Sequence, residues 1–323
     1  MIKQFKKRIM IVIALVLLAI AFALNMTLSK RGGDSQNPTT FLWDIEYKGE
    51  HIASLFGTAH AGSPTSQIPP AAIQRLDKSD VLVSEVKVLF PTEKAKLVHD
   101  IAAIQEVYPE VDQPISERIS GQLLVDTENF YQQRGIPLAV YNYQNLDIIF
   151  FQVTYGLMQG ESPEFGMEAL ISHHLKGRDI KNIALEGNVE SLLLIKEAMG
   201  NGLAEVFLAE IFEDEAGYQA ISNGILKAYE ENDVPRLMAL SDEEMAQSIA
   251  NAPPEYVAQA EYFKRTLLEK RNHDWVEVMT PLLKNRGDSE QFFIAVGALH
   301  LFGKEGLLQL LESEDFTVKP VNY

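Results

Sequence analysis

The sequence predicts one α/β domain, with a mixed central sheet built from strands near both ends of the chain and a helix-rich middle that caps it. Three observations lead there. Short apolar runs, β-branched or alternating, cluster at the two ends. Apolar residues at spacings of three and four fill the centre. The 14 prolines are spread through the segments between. Runs of strands enclosing a run of helices suit a sheet whose faces are covered by those helices.

The elements follow in order. Residues 41–47 and 52–56 are short apolar or alternating runs separated by Lys48-Gly49-Glu50, which reads as a β-hairpin. Residues 81–86 (VLVSEV) form a β-branched strand. Helical periodicity predicts helices over 93–108, 121–134, 145–158 and 163–175. Gly177 serves as a helix C-cap before the strand 180–185. Helices are then expected over 189–199, 203–218, 220–232, 235–240, 243–250 and 255–283, with Pro281 near the end of the last. A strand at 292–296 (FFIAV), a short helix at 306–312 and a strand at 316–321 complete the set.

The domain begins after two other segments. Lys3, Lys6, Lys7 and Arg8 precede an apolar run from 9 to 24 that holds no acidic residue, the pattern of a signal peptide or N-terminal membrane anchor over 1–24. Ala21-Phe22-Ala23 resembles a cleavage site, and the run lies between the lengths of a signal core and a full span. The expected location is therefore extracytoplasmic, in a bacterial periplasm or at the cell surface, anchored to the membrane or secreted. Residues 25–40 read as a polar linker, and 41–323 as the globular domain.

The formal net charge of −17 argues against a nucleic-acid partner, since a phosphate backbone needs a basic footprint. The chain has no cysteine. Disulfides, cysteine-ligated zinc, thiol nucleophiles and a lipoprotein anchor are all excluded.

Two histidines carry the chemistry. Gly57-Thr58-Ala59-His60 follows one strand, and Gly297-Ala298-Leu299-His300 follows another late in the chain. Ligands bind at the carboxyl ends of parallel strands in α/β sheets, and a glycine there leaves room for a close neighbour. His60 and His300 would converge from opposite ends of the sequence, as metal ligands or as a general base. Glu85 ends an otherwise apolar strand, where a charge needs a partner or a cation. Glu186 repeats that geometry before Gly187 and could orient a histidine, act as base or begin a helix. His173-His174 are adjacent, so a helix points them to different faces, and His273 with Glu277 reads as a solvated pair.

This ordered set resembles the TraB/GumN (Tiki-like) family, from Phe41 to the C-terminus. The residues that carry it are Gly57-Thr58-Ala59-His60, Glu85, Leu185-Glu186, Arg271-Asn272-His273-Asp274-Trp275, and Gly297-Ala298-Leu299-His300-Leu301 with Gly303, Gly306, Leu307 and Leu308. Two positions depart from the family pattern: Gly187 stands where threonine is frequent, and Glu168 where many relatives carry aspartate.

The resemblance implies an erythromycin-esterase/ChaN-like fold and a metal-dependent hydrolase, a peptidase acting on an extracytoplasmic peptide or protein. It implies a divalent ion, Mn or Co before Zn, on His60, Glu85 and His300. Glu186 would then take a proton from bound water, while Arg271 and Asn272 project into the same cleft and Arg271 stabilises the oxyanion. Two other readings stand beside it: a non-catalytic peptide-binding or inhibitory protein, and a metal-independent esterase with histidine as base.

Overall fold

A computed structural model describes residues 39–86, 102–158, 162–200 and 202–323. The expected signal or anchor over 1–24, nearly all of the linker and the start of the helix predicted at 93–108 lie outside these residues. Among the described residues, no helix is long and apolar enough to cross a membrane.

Six strands form one mixed sheet, in the order β4-β3-β5-β2-β1-β6. They are β1 (Leu42–Tyr47), β2 (Glu50–Thr58), β3 (Val81–Ser84), β4 (Lys181–Ala184), β5 (Phe292–Gly297) and β6 (Thr317–Pro320). All six coincide with the apolar runs of the sequence. β2 pairs antiparallel with β1 through the turn at Lys48 and Gly49, both of positive φ, and β1 pairs antiparallel with β6. β4, β3, β5 and β2 run parallel. β3 and β5 are buried at every position, as parallel strands covered on both faces must be. The two edge strands, β4 and β6, are the least buried.

The helical middle differs from the periodicity in a few places. A helix at Pro70–Lys78, opened by Pro70 in its first turn, follows β2 and was not expected. The helix expected over 203–218 breaks at Asp214, whose side chain accepts a hydrogen bond from the Gly217 amide (2.9 Å) and caps a new helix, Glu215–Glu230. The segments expected at 235–240 and 243–250 are one helix, Val234–Asn251, because Ser241 is buried inside it rather than capping a second. The long helix expected over 255–283 runs as Pro254–Arg265, a π-helical turn at Thr266–Lys270, and Arg271–Lys284.

Two apolar cores result. One lies against the sheet and includes Phe56, Ile294 and Trp275. The other lies within the helical half and includes Phe151, Phe207 and Phe263. Leu299, in the turn that carries His300, packs against both.

Candidate functional site

The parallel half of the sheet presents its carboxyl edge at one place, and each of its four strands delivers a polar residue there. His60 follows β2, Glu85 follows β3, Glu186 follows β4, and His300 follows β5. Gly297 lies among them. A Cβ at Gly297 would meet Glu85 Oε1 and His60 Nε2 at 3.2 Å and His300 Cδ2 at 3.4 Å, so only glycine leaves these side chains their present positions. The Gly297 amide donates to Glu85 Oε1 at 2.6 Å. Gly57, one register position earlier on β2, is packed more closely still: a Cβ there would lie 2.9 Å from Ala298 Cα.

Arg271 supplies the positive charge at the centre. The π turn places an extra residue immediately before it, a device common at functional sites, and the helix that follows turns Arg271, Asn272 and Trp275 inward. Arg271 is 1% exposed. Its Nη2 donates to Glu85 Oε2 (2.8 Å) and Glu186 Oε1 (2.5 Å), and its Nε to both oxygens of Glu186 (3.2 Å each). Its guanidinium stacks on Trp275, 4.5 Å from the ring centroid. Trp275 Nε1 donates to Glu186 Oε2 at 3.2 Å. The oxygens of Glu186 are thus taken by Arg271 and Trp275.

Asn272 fixes His300. Its amide nitrogen donates to the carbonyls of Glu305 (2.6 Å) and His300 (3.3 Å), so its oxygen faces His300 Nδ1 at 2.6 Å. His300 must therefore carry its proton on Nδ1. Its Nε2 accepts from Arg271 Nη1 at 3.4 Å. Burial, with Arg271 beside it, pushes this imidazole down to about 3, and it is neutral through the physiological range.

His60 is oriented by a residue whose importance the sequence did not reveal. Glu168, in the helix Met167–His174, accepts from His60 Nδ1 at 2.9 Å and from Thr58 Oγ1. That leaves His60 Nε2 buried with no hydrogen-bond partner, 3.7 Å from Glu85 Oε1. Burial alone would lower the basicity of His60. The charge and hydrogen bond of Glu168, with the charge of Glu85, outweigh burial and raise it above the ordinary value. Burial also acts to raise Glu85, but Arg271, the histidines and the Gly297 amide hold it at about 2. A cavity of about 50 Å³ opens on His60, Gly297 and His300, walled by Ile225, Leu226, Leu237 and Leu268.

The structure brings His60, Glu85, Glu186, Arg271, Asn272 and His300 together. It leaves His173 and His174 exposed, His174 pairing with Asp77 at 2.8 Å, and it pairs the exposed His273 with Glu305 at 2.7 Å rather than with Glu277. Among the described residues, no group of three or more His, Asp or Glu side chains is placed to hold a metal ion. The reason is visible in the bonding. Glu85 gives its oxygens to Gly297 and Arg271, and the guanidinium also faces the Nε2 of His300. As arranged, His60, Glu85 and His300 do not fit a divalent ion.

The sequence model of the TraB/PrgY/gumN family matches residues 41–320. The chain is similar to the uncharacterized protein YbaP of Shigella flexneri, 24% identical over 279 residues that cover 83% of this chain and 90% of that protein. It is similar to the same extent to the uncharacterized protein YbaP of Escherichia coli (strain K12). No solved structure matches the chain. The likeness to the erythromycin-esterase/ChaN group accordingly rests on the sequence resemblance.

Proposed function

Because the chain belongs to the TraB/PrgY/gumN family, we propose that it is an extracytoplasmic hydrolase of peptide or ester bonds in which His60 is the general base. The observation that carries this reading is the buried, unpartnered Nε2 of His60, whose opposite nitrogen is held by Glu168. A neutral imidazole so oriented accepts a proton from a water in the adjoining cavity, and the resulting hydroxide attacks the substrate carbonyl. His60 then returns the proton to the leaving group. Glu168 and Glu85 stabilise the imidazolium formed in between, much as the buried carboxylate of a hydrolytic triad does. Glu186, expected as the base, is bonded to Arg271 and Trp275 instead. Arg271, expected at the oxyanion, offsets the charges of Glu85 and Glu186, and Asn272 holds His300. The apolar walls of the small cavity suit an aliphatic group on the substrate. The basic and then apolar segment at 1–24 is the basis for placing the substrate outside the cytoplasm, with the chain held at or released from a membrane.

The second reading is a Mn or Co (or Zn) centre on His60, Glu85 and His300. One observation favours it: both imidazoles are held at Nδ1, His60 by a carboxylate and His300 by an amide oxygen, as metal-bound histidines usually are. It requires Arg271 to leave Glu85 and His300.

One experiment separates the readings. The purified full chain is assayed on a panel of chromogenic esters and peptides with and without chelator, beside His60→Ala and Glu168→Gln. Hydrolysis should survive the chelator, fall about 10²–10⁴-fold in His60→Ala, and fall in Glu168→Gln with the fold retained. Activity that appears only with added Mn or Co would transfer the role to a metal. A wild type inert under all conditions, yet able to bind the peptides, would make the protein a peptide-binding one.

A further inference from the structure

The helical half contains a second cavity, of about 210 Å³, which shares no lining residue with the cavity beside His60. Its floor is aromatic. Phe207 stands between Phe150 (ring centroids 5.7 Å apart) and Phe263 (5.9 Å), with Met245 beside them. These residues come from four helices, Leu146–Leu157, Leu203–Glu213, Val234–Asn251 and Pro254–Arg265. The remaining wall is polar, and all its charged residues are acidic: Glu210, Glu213, Asp214 and Glu244 line it, and no Lys, Arg or His does.

The carboxyl groups of Glu210 and Glu244 differ in how they are satisfied. Glu210 accepts from Asn251 Nδ2 at 3.1 Å. Glu244, partly exposed and lining the cavity, makes no hydrogen bond or ion pair among the described residues. Burial, with Glu210 as a like charge, pushes the Glu244 carboxyl up to about 7. A carboxylate in such surroundings costs free energy, which either a proton or a joining cation relieves. The aromatic floor beside these carboxyls calls for a cation that brings its own apolar surface. Aromatic faces favour an organic ammonium, both by cation–π attraction and by burial of its hydrocarbon. The volume suffices, since a cavity of about 150 Å³ already holds benzene.

We propose that this cavity is a binding site for a small amphipathic organic amine, its ammonium on Glu244 and Glu210 and its apolar body against Phe150, Phe207 and Phe263. The site is independent of the histidine cluster. Titration calorimetry on the full chain tests it with 2-phenylethylamine as probe and 2-phenylethanol as its uncharged counterpart. The amine should bind saturably, and the alcohol at least about tenfold more weakly, the loss expected for a charged hydrogen-bond pair. Glu244→Gln should weaken the amine by about tenfold or more and leave the alcohol unchanged. His60→Ala should leave both unchanged. Equal affinity for amine and alcohol, no saturable binding of the amine, or unchanged binding in the double Glu210→Gln/Glu244→Gln variant with its melting temperature retained would each overturn the proposal.

Discussion

Arg271 sits in the interior with two carboxylates and a histidine as its partners, and its value to the protein is set by what its loss would strand. Removing it leaves Glu85 buried and Glu186 partly buried without the guanidinium that both bond. Breaking one side of a buried ion pair costs about 3–5 kcal/mol, more than the pair itself contributes relative to an apolar replacement of both sides. Arg271→Met should therefore lower the stability of the fold by about that amount in denaturant titration. The double variant Arg271→Met/Glu85→Gln should recover part of it, because one stranded charge is gone. A loss below about 1 kcal/mol in the single variant would mean that water or a bound cation already reaches these carboxylates.

At the scale of elements, the site depends on two strands ending at the same height. β2 and β5 pair in parallel, with Gly57 opposite Val296 and Thr58 opposite Gly297. Both glycines permit close approach, but to different neighbours. A methyl at Gly57 would strike the Ala298 backbone at 2.9 Å, and backbone cannot yield as a side-chain tip does. A methyl at Gly297 would only press on Glu85, His60 and His300 at 3.2–3.4 Å. The two alanine variants should separate accordingly. Gly57→Ala should lose about 1–3 kcal/mol of stability, the usual cost of overpacking. Gly297→Ala should keep most of its stability and lose hydrolysis. Thermal melts beside an ester or peptide assay decide it, and equal stability losses in both would remove Gly297 from the site.

For the whole molecule, the two buried histidines shape stability against pH in opposite directions. His60 has a value raised above the ordinary 6.5, so its contribution is full below 6.5 and is lost as pH rises through the raised value. His300, held down to about 3, is neutral when folded but takes a proton near 6.5 when unfolded. Between about 3 and 6.5 the unfolded chain binds that extra proton, and stability falls as pH drops, by up to about 1.4 kcal/mol per unit. Glu85, with its carboxyl at about 2, adds a loss below its ordinary 4.5. The net charge of −17 at pH 7 acts the other way, since repulsion eases as pH approaches the isoelectric point near 4.9. Asp147 and Glu244, two carboxyls that burial pushes up to about 7, act with it, since their contribution is full below their ordinary values and is lost as pH rises towards 7; together they outweigh the single imidazole of His300, so stability should peak near the isoelectric point rather than near 6.5. Urea midpoints from pH 4 to 9 test this, with His300→Gln gaining stability relative to wild type as pH falls below 6.5 and His60→Gln flattening the alkaline limb. Differences between wild type and each variant that stay constant from pH 4 to 9 would show that neither histidine carries its share.

The strands, the hairpin and the two G-x-x-H corners were legible because each is a local pattern: a short apolar run, alternating or continuous, a turn pair, a glycine at a strand end. The mixed sheet and the helix-rich middle followed from their order along the chain. The divisions within the helical middle were not legible. Asp214 caps a helix and Ser241 lies inside one, and nearby sequence does not distinguish those roles. The partners in the site were not legible either. Glu168 holds His60 from 108 positions away, a pairing that exists only once the helix Met167–His174 lies beside the end of β2. Arg271 meets Glu85 and Glu186 across 186 and 85 positions, so whether a guanidinium or a metal neutralises those carboxylates depends on which reaches them in three dimensions. Sequence by itself determined which residues stand at the strand ends. Only the tertiary structure decided which charges they face, because electrostatic partnership depends on distance in space and on burial, and neither is a property of local sequence.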